Sequence, residues 1–209
     1  MAGPNKWRRP EDAAHASGLI GPNAILQLLP VLERAGGTAF RDQVMAAAGV
    51  FERPGEEGMI PEGPAARIHQ ALRSLEPEMA PSLAWEAGER TARYILARRI
   101  PKPAQRVLRI LPAALAGPIL SRAIARHAWT FAGSGEFAVV GPLTFAIRDN
   151  PIVRGEVSET PLCHWHAAVF EMLFRTLVDP QLRCVEHSCC AMGAPMCRFT
   201  LTRCEGLAP

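Results

Sequence analysis

Apolar residues recur at helical spacing through the first two thirds of this chain and at strand spacing later, with one further helix between the strands. Residues 1–20, rich in Pro, Gly, Ala and charge, predict a flexible N-terminal arm. Behind Pro22, the residues Ile25, Leu28, Leu29 and Leu32 share one helical face until Gly36-Gly37 stops it. A short helix over Phe40–Ala48 follows, and the Pro- and Gly-rich segment 51–64 predicts a loop. Helices are expected at Ala65–Leu75 and at Met79–Arg98, with Leu83, Ala87, Tyr94 and Ile95 along the second. Pro101 and Pro103 interrupt the pattern, and helical pieces resume at Val107–Leu111 and Ala114–Phe131, parted near Pro112.

After Gly133 the periodicity changes. Glu136–Val140 and Leu143–Arg148 predict strands joined at Gly141-Pro142, with Asp149-Asn150-Pro151 closing the second. Thr160 as N-cap and Pro161 as first helical residue open a helix over Leu162–Val178. Arg183–Cys190 and Cys197–Cys204 predict a hairpin around residues 191–195. The fold class is therefore α+β: a helical N-terminal half, 21–132, and a ββαββ part of the same domain, 133–209, in which helices cover a small antiparallel sheet.

Composition narrows the class. The 209 residues are 48% hydrophobic and 21% charged, which fits one globular domain with a core of its own. A net charge of +3 does not imply a nucleic-acid partner. The distribution of charge is more telling. Between Arg90 and Gly135 there is no Asp or Glu, while Arg90, Arg93, Arg98, Arg99, Lys102, Arg106, Arg109, Arg122 and Arg126 all fall there. Such a stretch is either a solvated basic face or a surface for an acidic ligand, an acidic protein or an anionic membrane. The first 18 residues lack an apolar signal-peptide core, and Ile110–Leu120 is too short and too proline-broken to span a bilayer. A cytoplasmic protein is expected, with peripheral contact to a membrane as a further expectation.

In that compartment Cys163, Cys184, Cys189, Cys190, Cys197 and Cys204 are reduced thiols. Cys163, Glu186, Cys189 and Cys197 could close a tetrahedral shell around a metal. The helix start would place Cys163 in the first turn, where the dipole favours thiolate. Glu186 and Cys189, three apart, need a bulge near Ser188 to reach the same face, and Cys197 returns from across the hairpin. Cys190 is a spare ligand; Cys184 and Cys204 read as buried strand cysteines. Spacing alone leaves a second reading open, in which all six are small core residues.

The runs CHWHAAVFEMLFRTLV (163–178) and CVEHSCCAMGAPMCRFTL (184–201) resemble the C-terminal half of the 4-vinyl reductase domain family. The words IGPNAILQLLPVLERAGG (20–37) resemble its bacteriochlorophyll-synthesis branch. In the sensory members of the family, zinc is held by a Cys, a Glu and two further Cys, whose spacing matches Cys163, Glu186, Cys189 and Cys197. The resemblance thus implies a structural Zn²⁺. It also implies a fold like that of TRAPP vesicle-tethering subunits, and a role around a tetrapyrrole.

The family name implies reduction of a pigment vinyl group, which needs a nicotinamide, a flavin or a metal cluster. Gly133-Ser134-Gly135 follows a helix and enters a strand, the reverse of the order a dinucleotide site requires, and reads as a helix end. Binding residues are easier to name. Trp165, Val169 and Leu173 form one line on the last helix and His166, Phe170 and Phe174 its neighbour, with His127, Trp129 and Phe131 on the helix before. They fit either ordinary core or a slot for a flat macrocycle. His166, His127 or His69 could meet the magnesium of a Mg-tetrapyrrole, and Arg98, Arg99, Arg122 or Arg126 its propionates.

Three readings follow: a tetrapyrrole carrier that hands intermediates to pathway enzymes, a vinyl reductase with an external reductant, and a small-molecule sensor or scaffold. The carrier is favoured, with His166, Trp165, Phe170, His127, Trp129 and Arg126 as ligand-binding residues and no catalytic residue assigned. A homodimer is carried as an expectation.

Overall fold

The computed structural model describes residues 18–204, so the predicted arm lies outside the described residues except for its last three positions. There, β1 (Leu19–Ile20) pairs antiparallel with β2 (Ile60–Pro61). Helices α1 (Asn23–Leu26) and α2 (Leu29–Ala47) follow β1. Gly36 and Gly37 leave helical geometry inside α2, Gly37 at φ +75°, so the predicted stop becomes a kink between two helical pieces.

Three helices start earlier or more sharply than the apolar pattern suggests, each behind a proline. They are α3 (Glu62–Leu75), α5 (Lys102–Ile110) and α6 (Ala113–Arg126). Pro61, Pro101 and Pro112 sit at their N-caps with ψ of 137°, 138° and 141°. A proline in this extended geometry hands the chain into a first turn that needs no N–H from it. Pro101 and Pro103 therefore initiate α5 rather than interrupt it, and the helix begins five residues before the expected Val107. Between α3 and α5 runs α4 (Ala80–Arg98), close to its expected bounds. The long helix expected over Ala114–Phe131 breaks at His127, leaving the single-turn α7 (Trp129–Ala132). No helix among the described residues is long and apolar enough to cross a membrane.

The four-stranded sheet has the order β3-β4-β6-β5, antiparallel throughout, with β3 (Glu136–Gly141), β4 (Thr144–Arg148), β5 (Leu182–Ser188) and β6 (Cys197–Arg203). α8 (His164–Leu177) connects its two halves. The predicted ββαββ order is the one observed.

Both lines of α8 are buried, because the helix is sandwiched. The line of Phe170 and Phe174 meets the sheet: Phe170 lies 4.9 Å from Phe145 and 5.4 Å from Phe199, ring centre to ring centre. Trp165 faces the helical layer, its indole N–H donating to Thr91 Oγ1 of α4 at 3.1 Å and its ring 5.8 Å from His69 of α3. α4 approaches closely because position 88 is glycine. A Cβ there would collide with the Trp165 carbonyl oxygen and lie 2.7 Å from Ala168 Cβ.

Candidate metal centre and the aromatic core beside it

Four segments meet at the N-terminus of α8. Cys163 is the N-cap residue of that helix, with φ −88° and ψ 41°. Thr160 does not cap it; its N–H turns back to Ser158 Oγ. Glu186 lies on β5, Cys189 just beyond its end, and Cys197 opens β6. The pairing of β5 with β6 shifts register between Glu186 and Ser188, which supplies the irregularity that the odd spacing demanded.

One ligand atom from each of the four residues lies within 4.8 Å of all the others. The Sγ atoms of Cys163 and Cys189 are 3.8 Å apart, those of Cys189 and Cys197 3.8 Å, and those of Cys163 and Cys197 3.4 Å. A tetrahedral ion with metal–sulfur bonds near 2.3 Å separates its sulfurs by ~3.8 Å. These spacings fit a shared ion and are far too long for a disulfide.

The fourth corner is a carboxylate with a spare oxygen. Glu186 Oε2 accepts the Cys163 backbone N–H at 2.8 Å, while the buried Oε1 has no hydrogen-bond partner. The sulfurs receive outer support as well. Asn150 Nδ2 reaches Cys163 Sγ at 3.3 Å and Cys197 Sγ at 3.7 Å, and the Cys190 backbone N–H reaches Cys197 Sγ at 3.3 Å. Donors aimed at sulfur stabilise thiolate and orient it. The four residues could hold a metal ion.

Without an ion the charges compete. Burial pushes the Cys163 thiol well up, and the Cys163 and Cys189 sulfurs push Cys197 up. Hydrogen bonds from the other two thiols, Cys163 first, hold Cys189 down at about 2. One thiolate is thus shared by three cysteines, and it rests on Cys189 rather than on Cys163. Burial, then the Cys189 thiolate, raises Glu186 to about 8.

Asn150 is the residue the sequence did not flag, since Asp149-Asn150-Pro151 reads as a turn. It is that too, because its Oδ1 accepts the Ile152 N–H at 3.2 Å in a 3-10 turn, Pro151–Val153. Arg73 of α3 braces the turn, donating to Ile152 O at 2.7 Å and pairing with Glu156. Of the remaining cysteines, Cys184 is buried as expected. Cys204 is exposed instead of buried, because it lies past the end of β6, its N–H bonded to Gln181 O.

The candidate ligand residues fall at three depths. Arg126 and His127 are exposed, Trp129 and Phe131 partly buried, and Trp165, His166 and Phe170 fully enclosed. His166 Nε2 donates to Phe131 O of α7 at 3.2 Å, and the Phe131 ring packs 5.7 Å from Phe170 and 5.2 Å from Phe137. α7 therefore closes over the imidazole. His69 Nε2 donates likewise to Ala24 O at 3.0 Å. In both residues Nδ1 is buried with no partner. Burial lowers His166 to about 4 and His69 to about 3, so both rings are neutral. His127 differs, its Nδ1 lying 2.9 Å from Ala123 O at the surface.

An open groove of about 550 Å³ lies elsewhere, lined by Ile25, Val50, Phe51, Arg53, Ile60 and Pro64 among others. Gly133-Ser134-Gly135 is structural: Gly133 adopts φ +58°, and Ser134 donates its N–H and its hydroxyl to Glu62, each at 2.6 Å.

Known proteins resemble this chain at two levels. Residues 143–203, which contain all four cluster residues, match the 4-vinyl reductase (V-4-R) domain. A protein of Cereibacter sphaeroides named bacteriochlorophyll synthase 23 kDa chain is 59% identical over 185 residues, covering 87% of this chain and 89% of the relative. Its namesake in Rhodobacter capsulatus is 50% identical over 184 residues, covering 87% and 86%. Among solved structures, an H-NOX protein from K. algicida aligns with a TM-score of 0.56 at 11% identity, over 90% of this chain and 98% of that one. An H-NOX protein from S. oneidensis gives 0.54 at 10%, over 89% and 100%. These last likenesses concern the fold, which is α+β. The sequence matches go further: the chain belongs to the family of the bacteriochlorophyll synthase 23 kDa chain and carries a 4-vinyl reductase domain.

Proposed function

We propose that this protein acts in bacteriochlorophyll biosynthesis by holding a tetrapyrrole intermediate, a Mg-porphyrin or divinyl (proto)chlorophyllide, for the pathway enzymes that modify it. The name of the relatives supplies the pathway and suggests association with its other components. The observation that carries the binding role is His166: a neutral, buried imidazole with a bare Nδ1, stacked among Phe131, Phe170 and Phe199. A buried nitrogen lone pair without a donor is costly, and a Lewis-acidic ligand relieves that cost.

The pigment would enter by displacing α7, whose four residues carry Phe131 over the imidazole and Trp129 beside it. Arg126 and His127, exposed just ahead of α7, would then meet its carboxylates. The cluster at Cys163, Glu186, Cys189 and Cys197 holds a structural Zn²⁺ in this reading. That ion ties the start of α8 to β5 and β6 and keeps the His166 face in register.

Titration with Mg-protoporphyrin, followed by its visible bands, tests the binding. Wild type shifts and saturates the bands, and His166→Ala weakens binding at least about tenfold. No shift with wild type overturns the proposal. Loss on Phe51→Asp with His166→Ala unaffected would overturn the assigned site and move it to the open groove. Turnover of a divinyl pigment by the isolated protein with NADPH would replace a carrier with an enzyme.

A further inference from the structure

We infer that α5 and α6 form a docking face for an anionic lipid surface. α5 is turned the wrong way for a helix of a free-standing domain. Its buried positions are Gln105 and Leu108, whereas Val107 and Ile110 are 56% and 83% exposed. The rotation is fixed, because Gln105 Nε2 donates to Leu96 O at 2.6 Å and to Ile100 O at 2.8 Å at the end of α4. The outward row of α5 is thus Pro103, Arg106, Val107 and Ile110, at helical spacing.

α6 continues the pattern after the turn at Pro112. It buries Ala116, Gly117, Leu120, Ser121 and Ile124. Leu115, 56% exposed, Ile119, 46% exposed, Arg122 and Arg126 follow one another on the opposite side. Four of the nine large apolar side chains exposed among the described residues lie on these two consecutive helices.

The cations around them are not balanced. Lys102, Arg98, Arg106, Arg122 and Arg126 pair with no acidic side chain among the described residues. No Asp or Glu occurs between Arg90 and Gly135 to repel an anion. Apolar side chains that insert and cations that rest at the headgroups are what an interfacial helix needs. A second copy of the same face would be repelled by its own charge. An acidic protein would have to match these cations position by position, whereas a lipid surface offers anionic charge at any spacing.

Flotation of the full chain with vesicles tests this. Binding is expected to vesicles of phosphatidylcholine and phosphatidylglycerol, not to phosphatidylcholine alone, and to fall as salt rises. Ile110→Asp with Leu115→Asp should abolish it. Arg122→Gln with Arg126→Gln should weaken it about tenfold or more. Circular dichroism should be unchanged, since all four positions are exposed. No binding to the anionic vesicles, binding that these variants leave intact, or equal binding to neutral vesicles each overturns the inference. Capture of an acidic protein through this face without vesicle binding overturns it as well.

Discussion

Two buried polar groups flank the first turn of α8, and they are built in opposite ways. On one side, three sulfurs and a carboxylate crowd within a few ångströms, served by N–H donors from Asn150 and Cys190. On the other, His69 and His166 each spend one nitrogen on a backbone carbonyl and leave the second bare, separated by the Trp165 ring. The first arrangement is unfavourable unless something cationic neutralises it, since like charges and desolvation would otherwise keep most of the groups protonated. The second is tolerable as it stands, because a neutral imidazole in a core costs only an unmade hydrogen bond. The lesson is that the thiol set requires its ligand to fold well, while the imidazole set folds first and has a binding option left over.

Removing the ion is the hardest blow to that distinction. Structural zinc contributes roughly 10–16 kcal/mol of apparent binding free energy in small domains, which exceeds the total stability of many proteins. Cys189→Ser, or dialysis against a strong chelator, should therefore lower the thermal midpoint sharply and loosen the α8 N-terminus from β5 and β6. Metal analysis with a melting curve reads both. A metal-free protein that melts where the wild type does would place the four residues among ordinary core. His166→Ala should cost far less and leave the metal content at one ion.

Acid separates the two sets more finely. His166 and His69 titrate near 4 and 3 in the folded protein, against about 6.5 when unfolded. Below pH 6.5 the unfolded chain binds protons that the folded chain refuses, so stability falls as pH falls. The contribution is complete above that pH and is lost on descending to about 4 and then 3. Each imidazole accounts for on the order of 3–5 kcal/mol over the window. Protons also compete for the thiolates, but that loss is reversed by added zinc, about 1.4 kcal/mol for each tenfold excess over the dissociation constant. Urea unfolding at pH 7 and pH 5, at two zinc concentrations, resolves the arms. A pH response abolished by zinc alone would mean the histidines carry none of it.

How much of this was legible in the sequence depends on where the deciding information sits. The metal set was legible because Cys163, Glu186, Cys189 and Cys197 are chemically specific wherever they stand. Their number and spacing survive without coordinates. The line of His166, Phe170 and Phe174 was legible as a line, but spacing cannot say what faces it. Phe145, Phe199 and α7 do, and the sheet and α7 bring those partners from distant parts of the chain. Prolines mislead in one consistent direction: Pro61, Pro101 and Pro112 read as the edges of loops, whereas each opens a helix. Cys184 and Cys204 look alike in sequence, yet one falls inside β5 and the other one residue past β6. Asn150 is hidden by its neighbour, since Asn before Pro already accounts for itself as a turn.

That double role of Asn150 allows the smallest but most discriminating test. Its Oδ1 caps the 3-10 turn through the Ile152 N–H, and its Nδ2 serves two sulfurs. Asn150→Ala removes both functions. Asn150→Asp keeps the acceptor for Ile152 but replaces the donor with a carboxylate facing thiolates. If the residue matters to the metal, competition with a chromogenic chelator should show zinc affinity falling by about 10–100-fold for the alanine variant. The loss should be larger for the aspartate variant, despite its better-preserved turn. If the residue matters only to the turn, the order reverses and aspartate is the milder change. The ranking of two substitutions at one position therefore decides whether the donors around the sulfurs belong to the metal centre or merely to the loop that passes it.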